Sequence, residues 1–362
     1  MIRSTVEDEV ARILDGLPPG AGARQAFAAL GEARLFAPHY PEEYGGRGGT
    51  LADYAAVADA LGDRGFADEV HLVTVQGVGC AVLYFGTEQQ RRRWLPGIAS
   101  GRTLASLLLS EVDAGSDAAA ITTSAREGAA GWILNGRKCW SLHADWSSIG
   151  LCSARTSKGP NRYSGITLFV VDLTSPGITV AERPRLLGEP YFTVSFDEVA
   201  VPDDAMVGPL GGGFRVLTSA AGYERAGLDY LSRGRVWLRA AEETLVAFPQ
   251  LCDERRRAGL VRLEYGLQAA HELADATIAG ADDFEFDYVS SAYSKYTCGE
   301  AAQAVARWVA EELLPEPVVQ TRGDLVRRLR AAVAEGPELS ISGNAVDLLL
   351  DTISLDPSLG EV

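Results

Sequence analysis

Two short segments hold the residue types best suited to chemistry. The first is LSEVDAGSD, from Leu109 to Asp117, where Ser110, Glu111 and Ser116 bring hydroxyls and a carboxylate into a polar glycine turn. Such a turn can wrap an oxygen-rich ring edge or a phosphate, although the same composition also makes ordinary surface turns. The second is GRKCWSLHAD, from Gly136 to Asp145. There Trp140 offers a flat aromatic face beside the hydroxyl of Ser141, which suits stacking on a planar cofactor. A tryptophan capping the core is the plain alternative.

Other chemistries have little to build on. The four histidines, His39, His71, His143 and His271, show no metal-ligand spacing, so no metal is expected. The five cysteines form no CxxC pair, and an odd count argues against a disulfide framework. A formal charge of −16 repels nucleic acid and anionic membranes. Two arginine triplets, Arg91 to Arg93 and Arg255 to Arg257, read either as solvated helix faces or as docking patches for an anionic handle. No apolar run reaches the roughly 18 residues of a membrane span. The acidic start, MIRSTVEDEVARILDG, is unlike a secretory signal, so a cytoplasmic protein is expected.

The elements that must position these segments fall into three textures. A chain of 362 residues accommodates two or three domains. Residues 1–107 are rich in helix formers, broken by the loop PEEYGGRGG from Pro41. Residues 108–217 read as strands. Asn135-Gly136 is a hairpin signal, ITLFVVD from Ile166 a buried strand, and FTVSFDEV from Phe192 an alternating one. This predicts a small barrel or sandwich. In residues 218–362 the helical period returns. One helix carries Leu228, Leu231, Leu238, Ala241, Leu245 and Phe248, and a second carries Leu260, Leu263, Leu267, Ala270, Ala274 and Ile278. Ala301, Val305, Trp308 and Val309 mark a third, and Leu325, Leu329 and Val333 a fourth, predicting an antiparallel four-helix bundle. The expected fold class is therefore α+β multidomain, in the order helical, β, helical.

Taken in order, PEEYGGRG, YFGTEQQRRRWLPGIASG, LLLSEVDAGSD, LNGRKCWS and LLGEPYFTVSFDEVAVPDDAMVG followed by GGGF resemble the acyl-CoA dehydrogenase family from about Leu30 to Arg225. The family shows PEEYGG, an FGTEEQK-like turn with a WLP-like continuation, a TEPxAGSD-like flavin loop, a GxKxWIT-like segment and FDxVxVP. The resemblance implies a homodimeric or homotetrameric flavoenzyme using FAD. Leu109, Ser110 and Glu111 would line the flavin edge, and Trp140 would pack on the ring. Ser116 would also meet the acyl–pantetheine arm. The segment after Trp140 is about three residues shorter than in the family, so Leu142 falls where the family has threonine, and Ser141 is the remaining candidate to reach flavin N5.

Relatives take a proton from the carbon α to a thioester carbonyl while hydride passes from the β carbon to flavin. Two glutamates match the family's places for the base. Glu335 lies in AVAEGPELSI, beside Gly336, which the resemblance sets at the substrate; Glu224 lies in GYERAG, before Arg225, which reads as structural or substrate-facing. Arg256 and Gln268 lie near the family's adenine-binding positions, but the usual phenylalanine and the GGxG stretch are absent. The substrate class is an acyl thioester on CoA or on an acyl carrier protein. The chain resembles in size the members that serve polyketide pathways, such as those making methoxymalonyl extender units. The electron acceptor is a partner flavoprotein or oxygen. A flavin monooxygenase on the same fold and a catalytically silent binding module are the competing readings.

Overall fold

A computed structural model describes residues 5–66, 68–184, 190–220, 226–280, 287–317, 319, 323–341 and 345–356. The chain divides into two compact units, one formed by residues 1–57, 66–185 and 189–221, the other by 58–65, 186–188 and 222–362.

The first unit begins with helices α1 (Thr5–Asp15), α2 (Ala23–Glu32), α3 (Leu51–Asp63, which crosses into the second unit), α4 (Asp68–Leu72), α5 (Cys80–Phe85) and α6 (Glu88–Ala99). The GTEQQ motif explains itself as a capping box. Gln90 N donates to Thr87 Oγ1 at 3.3 Å, and Thr87 N donates to Gln90 Oε1 at 2.8 Å. Gln90 Nε2 then bonds the carbonyls of Asp204 and Met206 at 2.8 and 2.7 Å, which ties α6 to the β region. Between α4 and α5 lies a π-helical turn, Val73–Gly79. Its buried Thr74 Oγ1 accepts from Ala105 N at 3.0 Å and thereby fixes the strand that leads into the Leu109 loop.

That strand is β1 (Ala105–Leu108), followed by β2 (Ser124–Gly128), β3 (Gly131–Leu142), β4 (Ile149–Arg155), β5 (Ile166–Asp172), β6 (Ile178–Glu182), β7 (Tyr191–Val201) and β8 (Met206–Val207). The sheet order is β6-β7-β3-β2-β4-β5-β8, with β1 parallel to β4. Burial follows the order: β5 is buried at six successive positions, whereas the edge strand β6 has no buried residue. The outer strands β6 and β8 do not pair with each other among the described residues, so the sheet is open and the expected barrel closure is not formed. After β8 comes α7 (Gly213–Ala220).

The Asn135-Gly136 hairpin is also corrected. The β2–β3 turn runs between Gly128 and Gly131, and Asn135-Gly136 lies inside β3 at a register shift against β7. Turn and bulge make the same demand on glycine. Gly136 has φ +146°, and a Cβ there would sit 2.5 Å from Thr123 Oγ1. Asn135 is spent on β7, accepting from Glu198 N at 3.0 Å and donating to Glu198 Oε1 at 2.7 Å.

The second unit is helical: α8 (Leu228–Ala247), α9 (Glu254–Ala279), α10 (Tyr288–Glu312), α11 (Gly323–Glu335) and α12 (Val346–Ile353). The four expected helices are present, with α10 packed against α8, α9, α11 and the additional α12. Every apolar residue predicted on α8 is buried, as are Leu267, Ala270, Ala274 and Ile278 on α9; Leu260 and Leu263 are only half-buried. No helix among the described residues is long and apolar enough to cross a membrane.

Candidate active site

The loop after β1 is held from beneath by a buried lysine. Lys138, on β3 and fully buried, donates from Nζ to Leu109 O at 3.0 Å, Glu111 Oε1 at 2.9 Å and Ser153 Oγ at 3.1 Å. All three ammonium protons are thus satisfied. Glu111 also accepts from Thr122 N, Thr122 Oγ1 and Thr123 N at 2.8, 2.6 and 2.9 Å. Burial pushes its carboxyl up, but the ammonium and these hydrogen bonds outweigh that and hold it at about 2. The Glu111 side chain is therefore an internal anchor of the loop, with each of its oxygens bonded within the domain. Lys138 is the residue of this site that sequence reasoning misses, since β3 also carries Asn135, Arg137 and Ser141 and nothing in the sequence marks one polar position as the buried one.

The anchored loop meets Trp140 along one stretch of β3. Cys139 N donates to Ser110 O at 2.8 Å, so Ser110 lies beside the residue before the tryptophan. A second register shift falls between Lys138 and Ser141. At this bulge Trp140 takes φ +61° and leaves its side chain 51% exposed. A bulky residue in the left-handed region costs about 1–3 kcal/mol, a strain that concentrates at functional sites. Ser141 does not join the indole. It is 1% exposed, with Oγ turned into the domain and without a hydrogen-bond partner, so the hydroxyl expected beside Trp140 is absent from that side. The half-buried Leu142 follows it.

A flat aromatic cofactor fits what this edge presents. The indole is exposed, Leu109 and Ser110 are half-exposed, and Ser116 is exposed at the loop tip. A Cβ built at Gly115 would meet nothing within 4 Å.

The remaining candidates fall in residues 222–362. Glu224 and Arg225 fall outside the described residues. The next residue, Ala226, is pinned through its carbonyl by Ser294 Oγ at 2.7 Å. Glu335 closes α11, half-buried, in the second unit. Gly336 is buried, and a Cβ there would come within 2.7 Å of Ala306 Cβ on α10. Arg256 and Gln268, on α9, are engaged with neighbouring carboxylates. The Arg256 side chain is 11% exposed, paired with Glu316 and 3.5 Å from Glu312, while Gln268 donates to Glu272 on its own helix at 2.8 Å. Arg255 is bound by both oxygens of Glu312. The other triplet is likewise paired locally: Arg91 and Arg92 with Glu88, Arg93 with Asp204. Five of the six arginines thus face a carboxylate, while Arg257 donates to the Cys252 carbonyl at 3.3 Å.

Open edge, anchored loop and helical flanks together describe an acyl-CoA dehydrogenase type of chain, and comparison with known proteins agrees. Residues 1–102 match the acyl-CoA dehydrogenase N-terminal domain and residues 106–199 the acyl-CoA dehydrogenase middle domain. The acyl-CoA dehydrogenase IpdE1 of Mycolicibacterium smegmatis is 31% identical over 266 residues, covering 69% of this chain and 67% of its own length. IpdE1 of Mycobacterium tuberculosis is 33% identical over 259 residues, 69% of this chain and 66% of its own length. Acyl-CoA dehydrogenase FadE34 of M. tuberculosis is 34% identical over 201 residues, 55% of this chain but only 28% of its own. Among solved structures, a glutaryl-coenzyme A dehydrogenase in complex with glutaryl-CoA superposes with a TM-score of 0.84 at 22% identity, covering 99% of this chain and 96% of the other. A glutaryl-CoA dehydrogenase from M. smegmatis, in complex with FADH2, gives 0.79 at 20% identity, covering 98% and 93%. The chain belongs to the acyl-CoA dehydrogenase family.

Proposed function

We propose that this chain oxidises an acyl-CoA-type thioester with FAD, the ring resting against Trp140 and the Leu109–Ser110 loop. The observation that carries this is the exposed indole, strained into a left-handed bulge beside a loop that a buried Lys138–Glu111 pair makes rigid. FAD, when bound, supplies the acceptor for the hydride that leaves the substrate's β carbon. The chain's own share is to orient and to move a proton. Ser110 and Ser116 lie at the loop and meet the ring edge and the acyl–pantetheine arm. Glu335 takes the proton from the carbon α to the thioester carbonyl, with Glu224 as the second place for that base. Gly336 and Arg225 face the substrate.

In this reading residues 1–107 form a helical domain, 108–217 the flavin-bearing β domain and 218–362 the helical bundle, and the protein works as a homodimer or homotetramer. A free CoA thioester is favoured over a carrier-borne acyl group, because the relatives that the chain resembles are named acyl-CoA dehydrogenases.

The test is anaerobic reduction of the bound flavin by a panel of acyl-CoA thioesters. A yellow protein that bleaches with one of them is expected. Glu335→Gln should slow bleaching by about 100-fold or more. If Glu335→Gln and Glu224→Gln both bleach at the wild-type rate, the carboxylate-base mechanism is wrong, and a colourless protein that takes up no flavin rejects the whole reading.

A further inference from the structure

The edge around Trp140 holds one charged group for which the proposed site has no task. Arg183 follows β6 and donates its backbone N–H to Tyr191 O at 2.8 Å, extending the β6–β7 ladder. Its guanidinium carbon lies 4.1 Å from the centroid of the Trp140 ring. Nη1 donates to Thr193 Oγ1 at 3.1 Å and approaches Cys139 Sγ at 3.6 Å. Tyr191 meets the indole edge-on, with ring centroids 6.3 Å apart at 76°. An exposed tryptophan has little burial energy with which to resist the cost of φ +61°. A stacked guanidinium contributes about 0.5–2 kcal/mol, which is of the size required.

We propose that Arg183 is a positioning residue of the flavin site: its guanidinium clamps the Trp140 indole in the left-handed bulge and sets a fixed positive charge beside the ring that the indole receives. The inference rests on the reading of Trp140 as the flavin platform. Two properties of the residue type support it. Arginine is charged at every working pH, and its plane stacks on an aromatic face where a lysine ammonium offers only a point charge. Thr193 fixes the plane, and Cys139 joins it to the strand that carries both Trp140 and the Ser110 contact. A positive charge held there favours the electron-rich reduced flavin over the oxidised form.

The test separates clamp from charge, using the full-length flavin-loaded protein for potentials and the flavin-free protein for near-ultraviolet circular dichroism. Arg183→Gln should shift the midpoint potential of bound flavin down by about 30 mV, a tenfold change in the reduced-to-oxidised ratio of a two-electron couple. It should also weaken flavin binding about tenfold. Arg183→Lys should keep the potential close to wild type yet lose the Trp140 dichroism band, which is assigned by difference from Trp140→Ala. Thr193→Val should reproduce the Arg183→Gln shift in part, and it tests the proposal on its own if Arg183→Gln does not fold. An unchanged potential, with flavin affinity within twofold of wild type, in both Arg183→Gln and Thr193→Val overturns the proposal while leaving the platform intact. Flavin binding that survives Trp140→Ala undiminished overturns the platform reading and the role of Arg183 with it.

Discussion

At the scale of single residues, the site depends on one buried ion pair. Lys138 and Glu111 lie 2.9 Å apart, almost without solvent, and the only compensation for that burial is their mutual contact and the surrounding hydrogen bonds. Lys138→Met should therefore cost about 3–5 kcal/mol in chemical denaturation, because it leaves the buried carboxylate without its ammonium partner. A loss below about 1 kcal/mol would mean that the loop is anchored by something else. The pH dependence has a definite sign. The folded carboxyl, at about 2, lies below its ordinary value of 4.5. Its stabilising contribution is present above that ordinary value and is lost as pH falls from there through about 2. In acid unfolding curves this segment of the loss should be absent from Glu111→Gln. Motif order gave the segments, but not the direction in which each side chain points. The bulge breaks the alternation at Lys138 and Cys139, both buried; beyond it neighbours again point to opposite faces, so Trp140 is exposed and Ser141 is buried.

Elements were legible where periodicity is long and uninterrupted, as in α8, whose predicted apolar face is buried throughout. They were less legible where a short signal admits two geometries. Asn135-Gly136 suits a two-residue turn and a bulge equally, since both need a left-handed or extended glycine, and only the pairing of Asn135 with Glu198 decides between them. The bulge makes a prediction at this scale. Gly136→Ala forces an L side chain to φ +146° and into contact with Thr123, which should cost about 1–3 kcal/mol. Gly115→Ala, in open space in the loop, should lie within about 0.5 kcal/mol of wild type. Equal melting temperatures for the two variants would show that the bulge is not strained. Packing around Glu335 follows the same logic: Gly336→Ala drives a methyl into Ala306 and should destabilise the second unit by about 1–3 kcal/mol. Open or closed sheet was not legible either, because strand count and length are the same for both and the pairing of the outermost strands is a long-range property.

For the whole molecule the question is which end of FAD the chain holds. The net charge is −16, and two arginines nearest the family's adenine-binding positions are balanced in place, with Glu312 set against Arg255 and Asp253, Glu312 and Glu316 against Arg256. A dimer repeats this balance, since each copy brings the same paired arginines. In the proposed reading, recognition among the described residues rests on the ring platform at Trp140, a mainly aromatic contact that salt screens little, while a diphosphate held by free cations would be released by salt. FMN and FAD should consequently bind the protein within about threefold of each other by fluorescence titration. Raising salt from about 50 mM to about 300 mM should leave FAD affinity unchanged within the same factor. Each flavin at 100 times its Kd should add about 2.7 kcal/mol of apparent stability, seen as a similar rise in melting temperature for both. FAD binding at least tenfold tighter than FMN, together with a tenfold loss at high salt, would show a cationic grip on the diphosphate. The pairs of Arg255 and Arg256 would then have to open when the cofactor binds.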